Sequence, residues 1–238
     1  MSQDLPVRVF EDLEQARAFL LRSRRLELVE LPPAVRHKVR EVFGADLTAM
    51  EVVQRIVEDV RRHGDAALHR YSRAIDGLEL AGFAVTEEEF ARARARVPEE
   101  VRQALALARD RIESFHQRQL RQSWLNFEPA GGFGQLVRPL ERVGVYAPAG
   151  RAPYPSSLLM SAVPARVAGV EEIVACAPPS PDGSVSPVIL VAAELAGIDR
   201  VFKVGGAQAI AAMAYGTETI PRVDKIVGPG NIFVVLAK

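Results

Sequence analysis

The sequence predicts an α/β protein in two parts: a mainly helical region over residues 1–140, closed by a β-hairpin, and a parallel-sheet domain over residues 141–238. Three observations carry this reading. Before Leu140, apolar residues recur at helical spacing among charged ones. After Arg142, short apolar runs alternate with alanine-rich stretches: VGVYAP with SSLLMSAVPARVAG, EEIVACAPP with PVILVAAELAG, RVFKVGG with AQAIAAMAYG, and VDKIVGPG with NIFVVLAK. The gaps between these runs supply the residues, about a dozen, that a crossover helix between parallel strands needs.

The helices follow from their spacing and their end signals. DLEQARAFLL reads as a first amphipathic helix, and TAMEVVQRIVEDVRRHG places Val52, Val53, Ile56, Val57 and Val60 on one face before Gly64, where the helix is expected to stop. Thr86 with Glu89 makes a capping-box signal for the next helix. A longer one begins at Pro98 and carries Leu105, Ile112 and Phe115 along one side. WLNFE and QLVRP flank AGGFG, which reads as a hairpin with the glycines in its turn.

Composition narrows the classes of function. With 238 residues, 48% hydrophobic and 25% charged, the chain can bury a substantial core. Thirty basic residues balance thirty acidic ones, so the charge favours neither nucleic acid nor an acidic membrane surface. The apolar run SSLLMSAVPARVAGV is broken by Pro164 and Arg166 and falls short of a membrane span. A single cysteine, Cys176, allows no internal disulfide, and the opening MSQDLPVRVFED lacks an apolar signal core; both fit a cytoplasmic protein.

In an open parallel sheet, ligands bind beyond the carboxyl ends of the strands, which directs attention to three loops. These are Tyr146-Ala-Pro-Ala-Gly150, Gly205-Gly-Ala-Gln208 and Gly228-Pro-Gly-Asn231. The glycines let backbone approach a ligand, and the helix amides that follow attract an anion such as phosphate; tight-turn packing accounts for the same glycines. Neither the GxGxxG fingerprint nor a P-loop is present. Asn231 suits an N-cap or a ligand contact, Gln208 a solvated or capping amide or a ligand contact, and Tyr146 a core ring or a stacking platform. Cys176 sits in an apolar strand as a buried structural thiol. His37, His63, His69 and His116 all lie in the helical region without metal-ligand spacing, so no catalytic or metal-binding residue is assigned.

The runs RVGVYAPAGRAPYPSSLLMSAVPARVAGV, VFKVGGAQAIAAMAYGT and VDKIVGPGNIFVVLAK closely resemble the histidinol dehydrogenase family. GGAQAIAA together with GPGNxxVxxAK is the most specific part of the match, and VEDVRRHGDAAL extends it into the helical region. The resemblance implies a fold similar to that of aldehyde dehydrogenases, with a divergent dinucleotide-binding domain. It implies a homodimer that oxidises the small molecule L-histidinol through histidinal to L-histidine, using NAD and a bound zinc ion. Matched motif by motif, Tyr146, Gln208 and Asn231 fall on the family's NAD-contacting positions. The chain has Ala149-Gly150 where the family usually has two glycines, so the backbone at Ala149 is expected to avoid positive φ.

The family's zinc ligands, its Glu-His acid/base pair and its substrate-binding serine belong to a continuation beyond Lys238. The resemblance therefore implies that this chain is the NAD-contacting half, with catalysis located elsewhere. An expectation of another class is a non-catalytic nucleotide-binding or dimerisation module that works beside a separately encoded catalytic chain.

Overall fold

The computed structural model describes residues 9–23, 30–148 and 152–238; the expectation for Ala149 lies outside them. The first helices are α1 (Leu13–Ser23), α2 (Pro33–Phe43) and α3 (Ala49–Tyr71). A full capping box starts α3: Thr48 Oγ1 accepts the Glu51 N–H, and the Glu51 carboxylate accepts the Thr48 N–H at 2.8 Å.

The helix does not stop at Gly64. It kinks there, with φ 49° and ψ −130°, and resumes to Tyr71. The resumption has a distant cause: Glu218 Oε2 accepts the Asp65 N–H at 2.8 Å, capping the second segment from 153 residues away. A Cβ on Gly64 would overlap that same carboxylate, so glycine serves both the backbone angle and the space. A π-helical turn, Ser72–Asp76, follows and ends at Gly77 with φ 71°.

Helix α4 (Glu87–Arg96) carries the capping box expected at Thr86 and Glu89, and α5 (Glu99–Gln117) begins after Pro98. Replacing Thr86 by alanine is expected to lower stability by about 1 kcal/mol in denaturant unfolding. Along α5, Leu105 is buried and Ile112 half-buried, but Phe115 points outward and is 60% exposed.

The hairpin pairs β1 (Trp124–Glu128) with β2 (Gly131–Gln135), antiparallel, with Trp124 opposite Gln135 and Glu128 opposite Gly131. Its turn is Pro129-Ala130, so the glycines expected in the turn lie in the strand instead. Cross-strand packing explains the shift. A Cβ on Gly132 would come within 2.9 Å of the Phe127 ring, and one on Gly134 would overlap the Trp124 carbonyl and the Leu125 side chain.

The remainder alternates as the sequence predicts: β3 (Arg142–Tyr146), α6 (Pro155–Val167), β4 (Glu172–Cys176), α7 (Pro187–Leu195), β5 (Arg200–Phe202), α8 (Gly206–Tyr215), β6 (Lys225–Val227) and α9 (Ile232–Ala237). All four strands are parallel, in the order β5-β4-β3-β6. The chain steps outward from β3 to β5, then returns to place β6 on the other side of β3. Strand direction of travel therefore reverses between β3 and β6, which is a topological switch point.

Successive strand residues enter opposite cores, as a pleat of period two requires. Val143, Val145, Ile173, Ala175 and Val201 pack with α4, α5, α6 and α7 on one face. Tyr146, Val174, Cys176 and Phe202 pack with α2, α3, α8 and α9 on the other. The N-terminal helices thus cover both faces of the sheet, and its strands read as continuous apolar runs because both faces are buried. Cys176 is fully buried, and burial pushes its thiol far above its ordinary range, leaving it protonated and unreactive. Among the described residues, no helix is long and apolar enough to cross a membrane.

Candidate functional site

At the switch point β3 and β6 lie side by side, while the helices that follow them, α6 and α9, pack on opposite faces of the sheet. The loop after β6 lies directly on the end of β3. Gly228 has φ 116°, and a Cβ there would overlap the Tyr146 carbonyl oxygen, so only glycine permits this approach. Beside it opens a cavity of about 300 Å³. Its floor is built from the carboxyl ends of the sheet: Tyr146, Pro178, Gly205 to Gln208, and Asn231. Its roof is apolar and comes from the N-terminal helices, with Val39 and Phe43 of α2 and Val52 and Ile56 of α3. The structure thus gathers Tyr146 from the end of β3, Gln208 from the first turn of α8 and Asn231 from the N-cap of α9 around one space.

Tyr146 is 3% exposed, and its ring belongs to the core. Its hydroxyl accepts the Gly206 N–H at 3.1 Å, tying the end of β3 to the start of α8. Desolvation raises its pKa, so the phenol stays protonated and keeps its O–H as a donor.

Gln208 is also 3% exposed, which rules out the solvated amide, and it forms no cap. Its amide folds back over Gly206, whose φ is 67° and where a Cβ would sit 2.6 Å from Gln208 Oε1. Among the described residues this amide makes no hydrogen bond, although it lines the cavity. The cavity leaves the donors and the acceptor of this amide accessible to whatever enters it.

Asn231 is an N-cap: its Oδ1 accepts the N–H groups of Phe233 and Val234, each at 3.1 Å. Those two amides, which the sequence offered to a phosphate, are therefore already taken. Its Nδ2 remains as a donor at the cavity. Aspartate caps as well as asparagine but lacks that donor. Asn231→Asp is thus expected to keep thermal stability while weakening ligand binding, whereas Asn231→Ala is expected to lose about 1 kcal/mol of stability as well.

Sequence reasoning missed the roof and the two charges that line the cavity, Lys38 and Asp76. Lys38 pairs with Glu41 at 3.1 Å. Asp76, the last residue of the π-turn, has no hydrogen-bond or ion-pair partner among the described residues, and desolvation pushes its carboxyl up to about 6. Nothing in YSRAIDG announces a π-turn, because the turn depends on how α3 ends against the sheet. The histidines stay local: His63 meets the Asp59 carboxylate at 2.7 Å, His116 meets Gln119 at 2.7 Å, and His69 packs on Phe83 at 4.5 Å. Among the described residues, no group of three or more His, Cys, Asp or Glu side chains is placed to hold a metal ion.

The strand order and the cavity define a doubly wound α/β protein with a cavity at its switch point. Comparison with known proteins makes this specific. The model of the family described as histidinol dehydrogenase matches residues 41–238. Histidinol dehydrogenase from Methanosarcina mazei is 53% identical over 190 residues, covering 79% of this chain and 44% of the relative. That from Deinococcus radiodurans is 50% identical over 224 residues, covering 94% of this chain and 50% of the relative. The crystal structure of histidinol dehydrogenase from Elizabethkingia anophelis superposes with a TM-score of 0.77 at 36% identity, over 88% of this chain and 49% of that one. The chain belongs to the histidinol dehydrogenase family, and it spans about half the length of these relatives.

Proposed function

We propose that this chain is the NAD-contacting portion of an enzyme that oxidises L-histidinol through histidinal to L-histidine, a step of histidine biosynthesis. The observation that carries the proposal is the cavity at the switch point, which Tyr146, Gln208 and Asn231 line together and where the Gln208 amide makes no hydrogen bond among the described residues. These residues fit the cofactor. The apolar roof suits a planar ring, while Gln208 offers a donor and an acceptor, Asn231 a donor and Tyr146 a hydroxyl.

Bound NAD supplies the hydride acceptor for alcohol oxidation. The chain's own residues bind and orient. Gln208 and Asn231 fix the ligand by hydrogen bonds, Tyr146 holds the end of β3 against α8, and the α2-α3 roof covers the ligand with apolar side chains. Zinc is a different matter: the described side chains include no fitting ligand set, so no step is derived through a metal in this chain.

The same reading divides the chain into a helical region over residues 1–140 and an NAD-contacting domain over residues 141–238, in a cytoplasmic, homodimeric enzyme. Its test is to join this chain in frame to the remaining half of the Deinococcus radiodurans relative and measure NAD reduction. Reduction that depends on L-histidinol and on zinc is the expected result. A chimera that folds by circular dichroism yet reduces no NAD contradicts the proposal.

A further inference from the structure

We propose that Asp76 is the residue that selects NAD over NADP, its carboxylate accepting hydrogen bonds from the two hydroxyls of the cofactor's adenosine ribose. The inference rests on the reading of the cavity as an NAD site and adds to it a specificity determinant.

Asp76 is the one carboxylate lining the cavity among the described residues. It arrives there with Ile75 on the π-helical turn, a backbone form that concentrates at functional sites, and Gly77 at φ 71° then carries the chain away. Ile75 continues the apolar wall formed by Val39 and Phe43, so the acidic group stands at the edge of a surface suited to a purine. A nucleoside presents this same pattern: an apolar ring, with a vicinal diol at its edge.

A carboxylate only accepts hydrogen bonds, and its two oxygens complement two hydroxyl donors. Among the described residues, Asp76 has no hydrogen-bond or ion-pair partner that would have to be displaced. Its carboxyl, pushed up to about 6 by desolvation, is still mostly ionised at neutral pH. A 2′-phosphate would instead bring a charge of about −1.5 to −2 against it. The cavity offers little to offset that repulsion: Lys38, the cation that lines it, pairs with Glu41 and not with Asp76.

The experiment is calorimetric titration of NAD and of NADP into the whole chain, as wild type, Asp76→Asn and Asp76→Ser, with circular dichroism to verify the fold. Wild type is expected to favour NAD. In D76N the NAD dissociation constant is expected to rise about tenfold while NADP binding tightens, so that the preference collapses. D76S is expected to move both cofactors in the same directions. Equal weakening of both cofactors, or an unchanged ratio, in folded variants of a wild type that binds NAD overturns the selector role alone. A wild type that binds neither cofactor overturns the NAD reading and this inference together.

Discussion

Replacing Gly228 by alanine is expected to cost on the order of 3–5 kcal/mol of stability. Two penalties combine. The residue sits at φ 116°, where an L side chain is strained, and the new methyl would overlap the Tyr146 carbonyl oxygen, which is backbone and cannot rotate aside. Relief requires the β6-α9 loop to lift from the end of β3, and that movement opens the floor of the cavity. Gly44 supplies the control. It has a similar need for positive φ, 67°, but nothing lies within 4 Å of its would-be Cβ. Gly44→Ala is therefore expected to cost only about 1–2 kcal/mol. Denaturant unfolding of both variants reads the added cost at Gly228 of its more strained φ and the overlap together, and equal losses would contradict the close approach of the β6-α9 loop to the end of β3.

Gln208→Leu is expected to separate stability from binding. Leucine nearly matches glutamine in shape, and the Gln208 amide makes no hydrogen bond among the described residues, so stability should change by less than about 1.5 kcal/mol. NAD affinity should fall roughly 10- to 100-fold, because the ligand's polar groups then meet a methyl surface. A residue whose role is structural gives the opposite pattern. Lost thermal stability with unchanged NAD affinity would place Gln208 among the packing residues and remove the main support for the site.

Much of the fold was legible because each signal was local. Four apolar runs of strand length, each followed by an alanine-rich stretch, specified the parallel sheet, and Thr86 with Glu89 specified a helix start. The failures were long-range. Gly64 reads as a stop, yet α3 continues because Glu218 caps Asp65 from a loop far along the chain. The glycines of β2 read as a turn, yet they serve the side chains of Phe127 and Leu125 on the facing strand.

The candidate site divides the same way. Tyr146, Gln208 and Asn231 were accessible to sequence reasoning because each follows a strand by a few residues, and the carboxyl ends of a parallel sheet meet at one edge. Competing roles could be resolved only in three dimensions: Asn231 does cap its helix, whereas Gln208 is neither solvated nor capping. Asp76 and the apolar roof stayed hidden, since their place depends on α2, α3 and the π-turn folding back over the sheet.

The most direct test of the central claim, that the switch-point cavity holds NAD through these three residues, is the side-chain amide resonance of Gln208 in a proton-nitrogen NMR spectrum, assigned by its loss in Q208L and followed through an NAD titration. The account expects this signal to shift saturably as NAD is added, with the Asn231 side-chain amide moving in step. NAD binding that leaves both amide signals unmoved would place the cofactor elsewhere and contradict the account.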